Sequence, residues 1–108
     1  MLEATKENFQ ELVAQGTVVV DVWGPHCQPC ITMMPHVERL AEERTDLKFV
    51  KLDSSKTRRL CIEMRIMGLP AFLLFQDGKE LGRIGGNDLT IDRVKEWIDQ
   101  KLGREVKQ

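Results

Sequence analysis

Cys27 and Cys30 are the residues of this chain best placed to do chemistry. They lie in the run Trp23-Gly24-Pro25-His26-Cys27-Gln28-Pro29-Cys30. Positions i and i+3 share one face of a helix, close enough for a modest adjustment to allow a disulfide. Such a bond closes a very small loop and removes little unfolded-state entropy, so it serves poorly as a staple and well as a switch. A thiol at a helix N-terminus meets unpaired amides and the positive end of the helix dipole, which favour the thiolate. Pro29 has no N–H, so the Cys30 amide is the natural capping donor to the Cys27 sulfur. Cys27 at the helix tip and Cys30 one turn in suit an attacking thiol and a resolving thiol.

A CxxC pair can also be half of a metal site. Tetrahedral zinc would need two further ligands. His26 adjoins Cys27 and would point away from the pair, His36 lies more than two turns down the same helix, and Cys61 is a single extra thiol. The spacing favours a dithiol, and no metal is expected.

The elements that must position this pair follow from pattern and punctuation. Val18–Trp23 is a compact β-branched run, expected as a buried strand that Gly24-Pro25 ends. From Cys27 to Arg44, Ile31, Met34, Val37, Leu40 and Ala41 repeat at helical spacing, with Pro35 predicting a kink inside one helix. Thr5 can cap a short earlier helix with Phe9, Leu12 and Val13 inward and Gly16 as its stop. Leu47–Leu52 reads as a second strand, and Ser54 or Ser55 can start a third helix reaching Met64. Ala71–Gln76 and Glu80–Ile84 flank Asp77-Gly78, a strong hairpin signal. A last helix runs from Leu89 to Leu102 with Ile91, Val94, Ile98 and Leu102 inward. With a short first strand near Leu2–Ala4, the order predicts an α/β fold: a mixed sheet of four to five strands with helices on both faces.

The chain has 108 residues, enough for one domain spanning 1–108 and for a core that needs no staple. Apolar residues are 42% and charged residues 31%, a globular balance. The formal net charge of −1 argues against nucleic acid as a partner. Three cysteines are too few, and odd in number, for a disulfide framework. The start Met1-Leu2-Glu3-Ala4-Thr5-Lys6-Glu7 does not read as a signal peptide, no apolar run approaches a membrane span, and neither end carries a lipidation motif. The expectation is a cytoplasmic protein with reduced thiols and no membrane partner.

Val18–Cys30 resembles the active-site strand and turn of the thioredoxin family, whose CxxC lies near a βαβ pattern. Asp21 and Trp23 stand six and four residues before Cys27, as in that family. Pro35, Lys51, Gly68-Leu69-Pro70 and Gly85 match its kinking proline, buried lysine, cis-proline segment and post-strand glycine. The resemblance covers nearly the whole chain. Departures are His26 where an aromatic is usual, Gln28-Pro29 in place of Gly-Pro, and Ala71 in place of the threonine after the cis-proline.

The resemblance implies a thioredoxin fold and a monomeric protein-disulfide reductase with no cofactor beyond its redox-active cysteine pair. Cys27 would attack the disulfide of a client protein and Cys30 would resolve the mixed disulfide. Asp21, on the sheet face beneath the cysteine helix by strand alternation, would exchange the Cys30 proton through a water; burial would raise its pKa and Lys51 would moderate the rise. A cis Pro70 would turn the Leu69 backbone towards an extended client. Trp23, Gly24, Pro25, Leu69 and Gly85 would rim the sulfur, with His26, Gln28 and Pro29 beside it. A thioredoxin reductase would supply the electrons. His26 and Gln28 leave open a more oxidising oxidase or isomerase, and the fold alone leaves open a non-catalytic binding module or a CxxC metal site. Cys61 is expected to be a packed, inert thiol.

Overall fold

Val18, Val19, Val20 and Val22 are branched at Cβ and suit a strand covered on both faces. All four are fully buried, at the centre of the sheet. The structure is a computed structural model and describes residues 1–104. Residues 105–108, part of the span expected as one domain and the place of the C-terminal lipidation reading, lie outside the described residues.

The elements are β1 (Leu2–Ala4), α1 (Phe9–Val13), β2 (Thr17–Trp23), α2 (Gln28–Glu43), β3 (Lys48–Asp53), α3 (Arg58–Glu63), β4 (Ala71–Gln76), β5 (Lys79–Gly85) and α4 (Ile91–Lys101). The sheet order is β1-β3-β2-β4-β5. β3 pairs in parallel with β1 and β2, while β4 runs antiparallel to both β2 and β5. This is the mixed α/β sheet expected from the sequence. The β4–β5 hairpin turns at Asp77 (φ 50°) and Gly78 (φ 86°), the left-handed pair that a tight primed turn requires.

Each sheet face has its own core. On one side Val18, Val20, Val22, Leu52 and Leu73 pack with Phe9 and Val13 of α1 and Cys61 of α3. On the other, Val19, Phe49, Phe72 and Leu74 pack with Met33, Val37 and Leu40 of α2 and Val94, Trp97 and Ile98 of α4.

Two expectations are corrected. The inward stripe of α2 is Cys30, Met33, Val37 and Leu40, while Ile31 is exposed and Met34 and Ala41 are only half-buried. Counting Cys30 as an apolar residue gives a stripe at i, i+3, i+7 and i+10 that shares Val37 and Leu40 with the expected one. Helix α3 starts at Arg58 rather than at Ser54 or Ser55. Those serines are held in a turn: the Asp53 carboxylate accepts from the Ser55 N–H (2.9 Å) and Oγ–H (2.6 Å), and the Ser54 N–H donates to the Trp23 carbonyl. Aspartate side chains compete with the helix for nearby amides in this way.

Candidate active site

The sheet register gathers the site at one end of the central strands. Trp23 closes β2 opposite Asp53 of β3, Val22 faces Ala71 of β4, and Ala71 faces Gly85 of β5. Pro70, immediately before Ala71, therefore comes beside the end of β2, where the chain turns into the cysteines. The carboxyl ends of parallel strands are the usual place for a site in such sheets.

Cys27 is the N-cap of α2, in an extended conformation, and is bonded to Cys30 with the two Cα atoms 5.3 Å apart. The Cys30 N–H donates to Cys27 Sγ at 3.3 Å, so a sulfur takes the place of the usual capping oxygen. Pro29 sits in the first turn, where its missing N–H leaves no helical bond unmade. The Cys27 N–H donates to Gly24 O at 3.0 Å and fixes the turn before the helix. Cys27 is half-buried and Cys30 buried, the asymmetry that an entering and a resolving thiol need. Pro25 and His26 are exposed, and Gln28 Nε2 donates to Thr32 Oγ1 on the surface.

Asp21 lies in β2 on the face that α2 and α4 cover, the same face as Val19. It is 2% exposed. Its register partners are Lys51 on β3 and Phe72 on β4. Burial pushes its carboxyl from the usual carboxylate range up to about 7, and the Lys51 charge holds it back from rising further. A group with that pKa exchanges protons readily near neutrality.

The Leu69–Pro70 peptide is cis. The Pro70 carbonyl accepts from the Gly86 N–H at 3.2 Å. A Cβ on Gly85 would lie 2.6 Å from Pro70 O, so only glycine lets β5 approach so closely. A Cβ on Gly24 would meet Leu69 Cδ1 and Ser54 Oγ at 3.2 Å, which places the leucine against the loop that holds Cys27.

Two residues with structural consequences for the site were not singled out from the sequence. Asp53 organises the turn that packs on Trp23; the run Asp53-Ser54-Ser55 after a strand is an Asx-turn signal that could have found it. Arg83 donates to Met64 O (2.9 Å) and Arg65 O (3.2 Å) at the end of α3 while its other nitrogens hold Glu80, both at 2.7 Å. That tie from β5 to the end of α3 carries no local sequence signal. Among the described residues, no group of three or more His, Cys, Asp or Glu is placed to hold a metal ion.

A mixed sheet flanked by helices, with a bonded cysteine pair at a helix start, defines a thiol–disulfide oxidoreductase of the α/β class. A sequence profile of the thioredoxin family matches residues 1–100. The thioredoxin of Acetoanaerobium sticklandii is 34% identical over 105 residues, covering 94% of this chain and all of the relative. Thioredoxin X of Arabidopsis thaliana chloroplasts is 38% identical over 93% of this chain and 57% of its own length. Among solved structures, Chlamydomonas reinhardtii thioredoxin f2 superposes with a TM-score of 0.88 at 27% identity, covering 97% of this chain and 99% of that one. Oxidised mitochondrial thioredoxin 3 of Saccharomyces cerevisiae gives 0.75 at 30% identity, over 82% of this chain and 85% of that one. The chain belongs to the thioredoxin family and is a protein-disulfide oxidoreductase.

Proposed function

We propose that this chain reduces the disulfides of client proteins through a Cys27/Cys30 cycle. The carrying observation is the bonded pair at the N-cap of α2, with a buried carboxyl of pKa about 7 on the sheet face that α2 covers.

In the reduced protein the Cys27 thiolate attacks one sulfur of a client disulfide. The client S–S bond breaks, a Cys27–client bond forms, and the departing client sulfur takes up a proton. Asp21, as carboxylate, accepts the Cys30 proton through a water. The Cys30 thiolate then attacks Cys27 Sγ and displaces the second client sulfur. Two electrons have passed to the client, and the protein is left with its own disulfide. A thioredoxin reductase returns the electrons, and the cysteine pair itself is the only redox group the cycle uses. Lys51 tunes Asp21. Pro70 and the Leu69 backbone offer pairing to an extended client strand, with Trp23, Gly24, Pro25 and Gly85 as an apolar rim and His26, Gln28 and Pro29 along its edge. The protein works as a single-domain monomer. Sparse cysteine usage supports a cytoplasmic setting that keeps thiols reduced.

Insulin reduction coupled to a thioredoxin reductase tests the reading. Cys27→Ser should abolish turnover, and Cys30→Ser should accumulate a mixed disulfide. A glutathione titration should give a potential near about −270 mV, the thioredoxin range. A value above roughly −200 mV would reverse the direction to an oxidase or isomerase. Failure of the intact protein to reduce insulin would leave a binding module.

A further inference from the structure

The net charge of −1 conceals a strong asymmetry. Residues 54–70 hold Lys56, Arg58, Arg59 and Arg65 against the single carboxylate Glu63, a net of +3, so the rest of the chain carries −4. Arg58, Arg59 and Arg65 are exposed, and none forms an ion pair among the described residues. Arg83, by contrast, is neutralised by Glu80.

Two large apolar side chains stand in the middle of this basic region. Ile62 is 68% exposed and Met67 is 94% exposed. Met67 begins a ridge that continues through Gly68 to Leu69 and is flanked by two grooves. One, of about 350 Å³, lies against α3 and is bordered by Arg58 and Ile62. The other, of about 540 Å³, lies against β5 and is bordered by Arg65 and Arg83. Leu69 lines both grooves and abuts Gly24, whose carbonyl accepts from the Cys27 N–H. The basic and apolar surface is therefore continuous with the loop that carries the attacking sulfur.

We infer that α3 and the Met67–Leu69 ridge form a docking surface for a disulfide-bearing protein with carboxylates beside its disulfide and an apolar side chain to cover Ile62 and Met67. The inference rests on the reductase reading above and adds the chemistry of the client. Unpaired arginines at the rim of an apolar patch steer acidic partners and reject basic ones, while the apolar centre supplies the contact area. The exposed apolar pair favours a protein over a nucleic acid, which would find cations here but no aromatic side chain to stack on.

The test uses two peptides that share one intramolecular disulfide and one leucine, and differ only in glutamate or lysine flanks. The reduced full-length protein is mixed with each in single-turnover experiments. At low salt the acidic peptide should be reduced about tenfold faster, and the preference should fade as salt shortens the screening length to about 3 Å near 1 M. Arg58→Gln with Arg65→Gln should lower the acidic-peptide rate severalfold and leave the basic-peptide rate equal or higher. Met67→Ser should slow both peptides alike. Equal rates for the two peptides, without salt dependence, would overturn the docking inference while leaving the reductase reading intact. Reduction of neither peptide would overturn both. Competition by micromolar oligonucleotide, or dimerisation that hides Arg58 from modification, would assign the surface to another occupant and overturn the inference. The salt series on the unmodified protein needs no variant, so a variant that fails to fold does not blunt the test.

Discussion

Asp21 and Lys51 stand opposite each other as register partners on parallel strands, yet the pair does not behave as a simple ion pair. The aspartate is buried and the lysine only half so. Burial disfavours the charged carboxylate more than the lysine charge favours it, and the pKa settles at about 7. Burial and one neighbouring charge thus leave a carboxyl that titrates near physiological pH on a strand of the central sheet.

Replacing Asp21 by asparagine separates its two consequences. Resolution of the mixed disulfide should slow by about 100-fold, the lower end of general-base effects, and the mixed disulfide should accumulate in stopped-flow traces. Stability should move the other way. The unfolded chain ionises Asp21 near the ordinary aspartate value of 3.8, whereas the folded protein keeps the proton up to about 7. As pH rises between those values the unfolded state loses its proton first, so wild-type stability falls by about 4 kcal/mol and then levels off above neutrality. Urea unfolding of Asp21→Asn should lack this decline, so its advantage over the wild type should grow from pH 4 to pH 8. A difference that stays constant across that range would count against a raised Asp21 pKa.

Lys51→Met removes the charge that lowers the Asp21 pKa. The pH profile of the resolution step should therefore move to the alkaline side, and the rate at pH 7 should drop. Restoring the charge with arginine should return most of the shift. An unmoved profile in Lys51→Met would mean that the lysine charge does not reach the carboxyl.

The strand–helix order was legible because each element has a local cause: the valine run of β2, the hairpin dipeptide Asp77-Gly78, the helical stripe of α4. The first helix departs from the cap reading: its N-cap is Asn8, which makes no side-chain cap bond, and Thr5, expected as the cap, lies in the turn ahead of it. Thr5 Oγ1 accepts from the Asn8 N–H and Asn8 Oδ1 accepts from the Thr5 N–H, one turn ahead of Phe9. The misses were of two kinds, local and long-range. Helix α2 turns Cys30 inward with Met33, Val37 and Leu40, and the late start of α3 follows from the Asp53 carboxylate capturing Ser55 two residues on, a local turn that the run Asp53-Ser54-Ser55 signals. At the site, the cysteine pair is readable from spacing, and Asp21 from the family resemblance. The Arg83 bond to the end of α3 joins residues that no periodicity relates.

Gly85→Ala should injure client recognition more than thiol chemistry. The added methyl would sit 2.6 Å from Pro70 O, a backbone atom that cannot swing aside, so the strand or the proline segment must shift. The bond from Gly86 N–H to Pro70 O would stretch with it. A stability loss of about 1–3 kcal/mol is expected from such overpacking. Insulin reduction should show a raised KM, while reduction of bis(2-hydroxyethyl) disulfide, which needs no strand pairing, should change less than twofold. Equal losses on both substrates would show that the glycine supports the dithiol itself.

Cys61 is the thiol outside the pair, and its surroundings predict how it behaves. It is 7% exposed and packs in the α1/α3 core. Its sulfur lies 3.6 Å from Thr57 Oγ1, whose hydroxyl donates to Asp53 O at 2.8 Å. No cation is among these contacts to favour a thiolate, and a buried thiol in apolar surroundings is a poor nucleophile. In the folded, reduced protein Cys61 should therefore react with a thiol reagent far more slowly than Cys27, and should reach full rate only on unfolding. Cys61→Ala should keep insulin reduction within twofold of wild type and cost about 1 kcal/mol for the small cavity left behind. If Cys61 instead reacted as fast as Cys27 in the native state, the α1/α3 core would have to open on that timescale, and the packed-thiol account would fail.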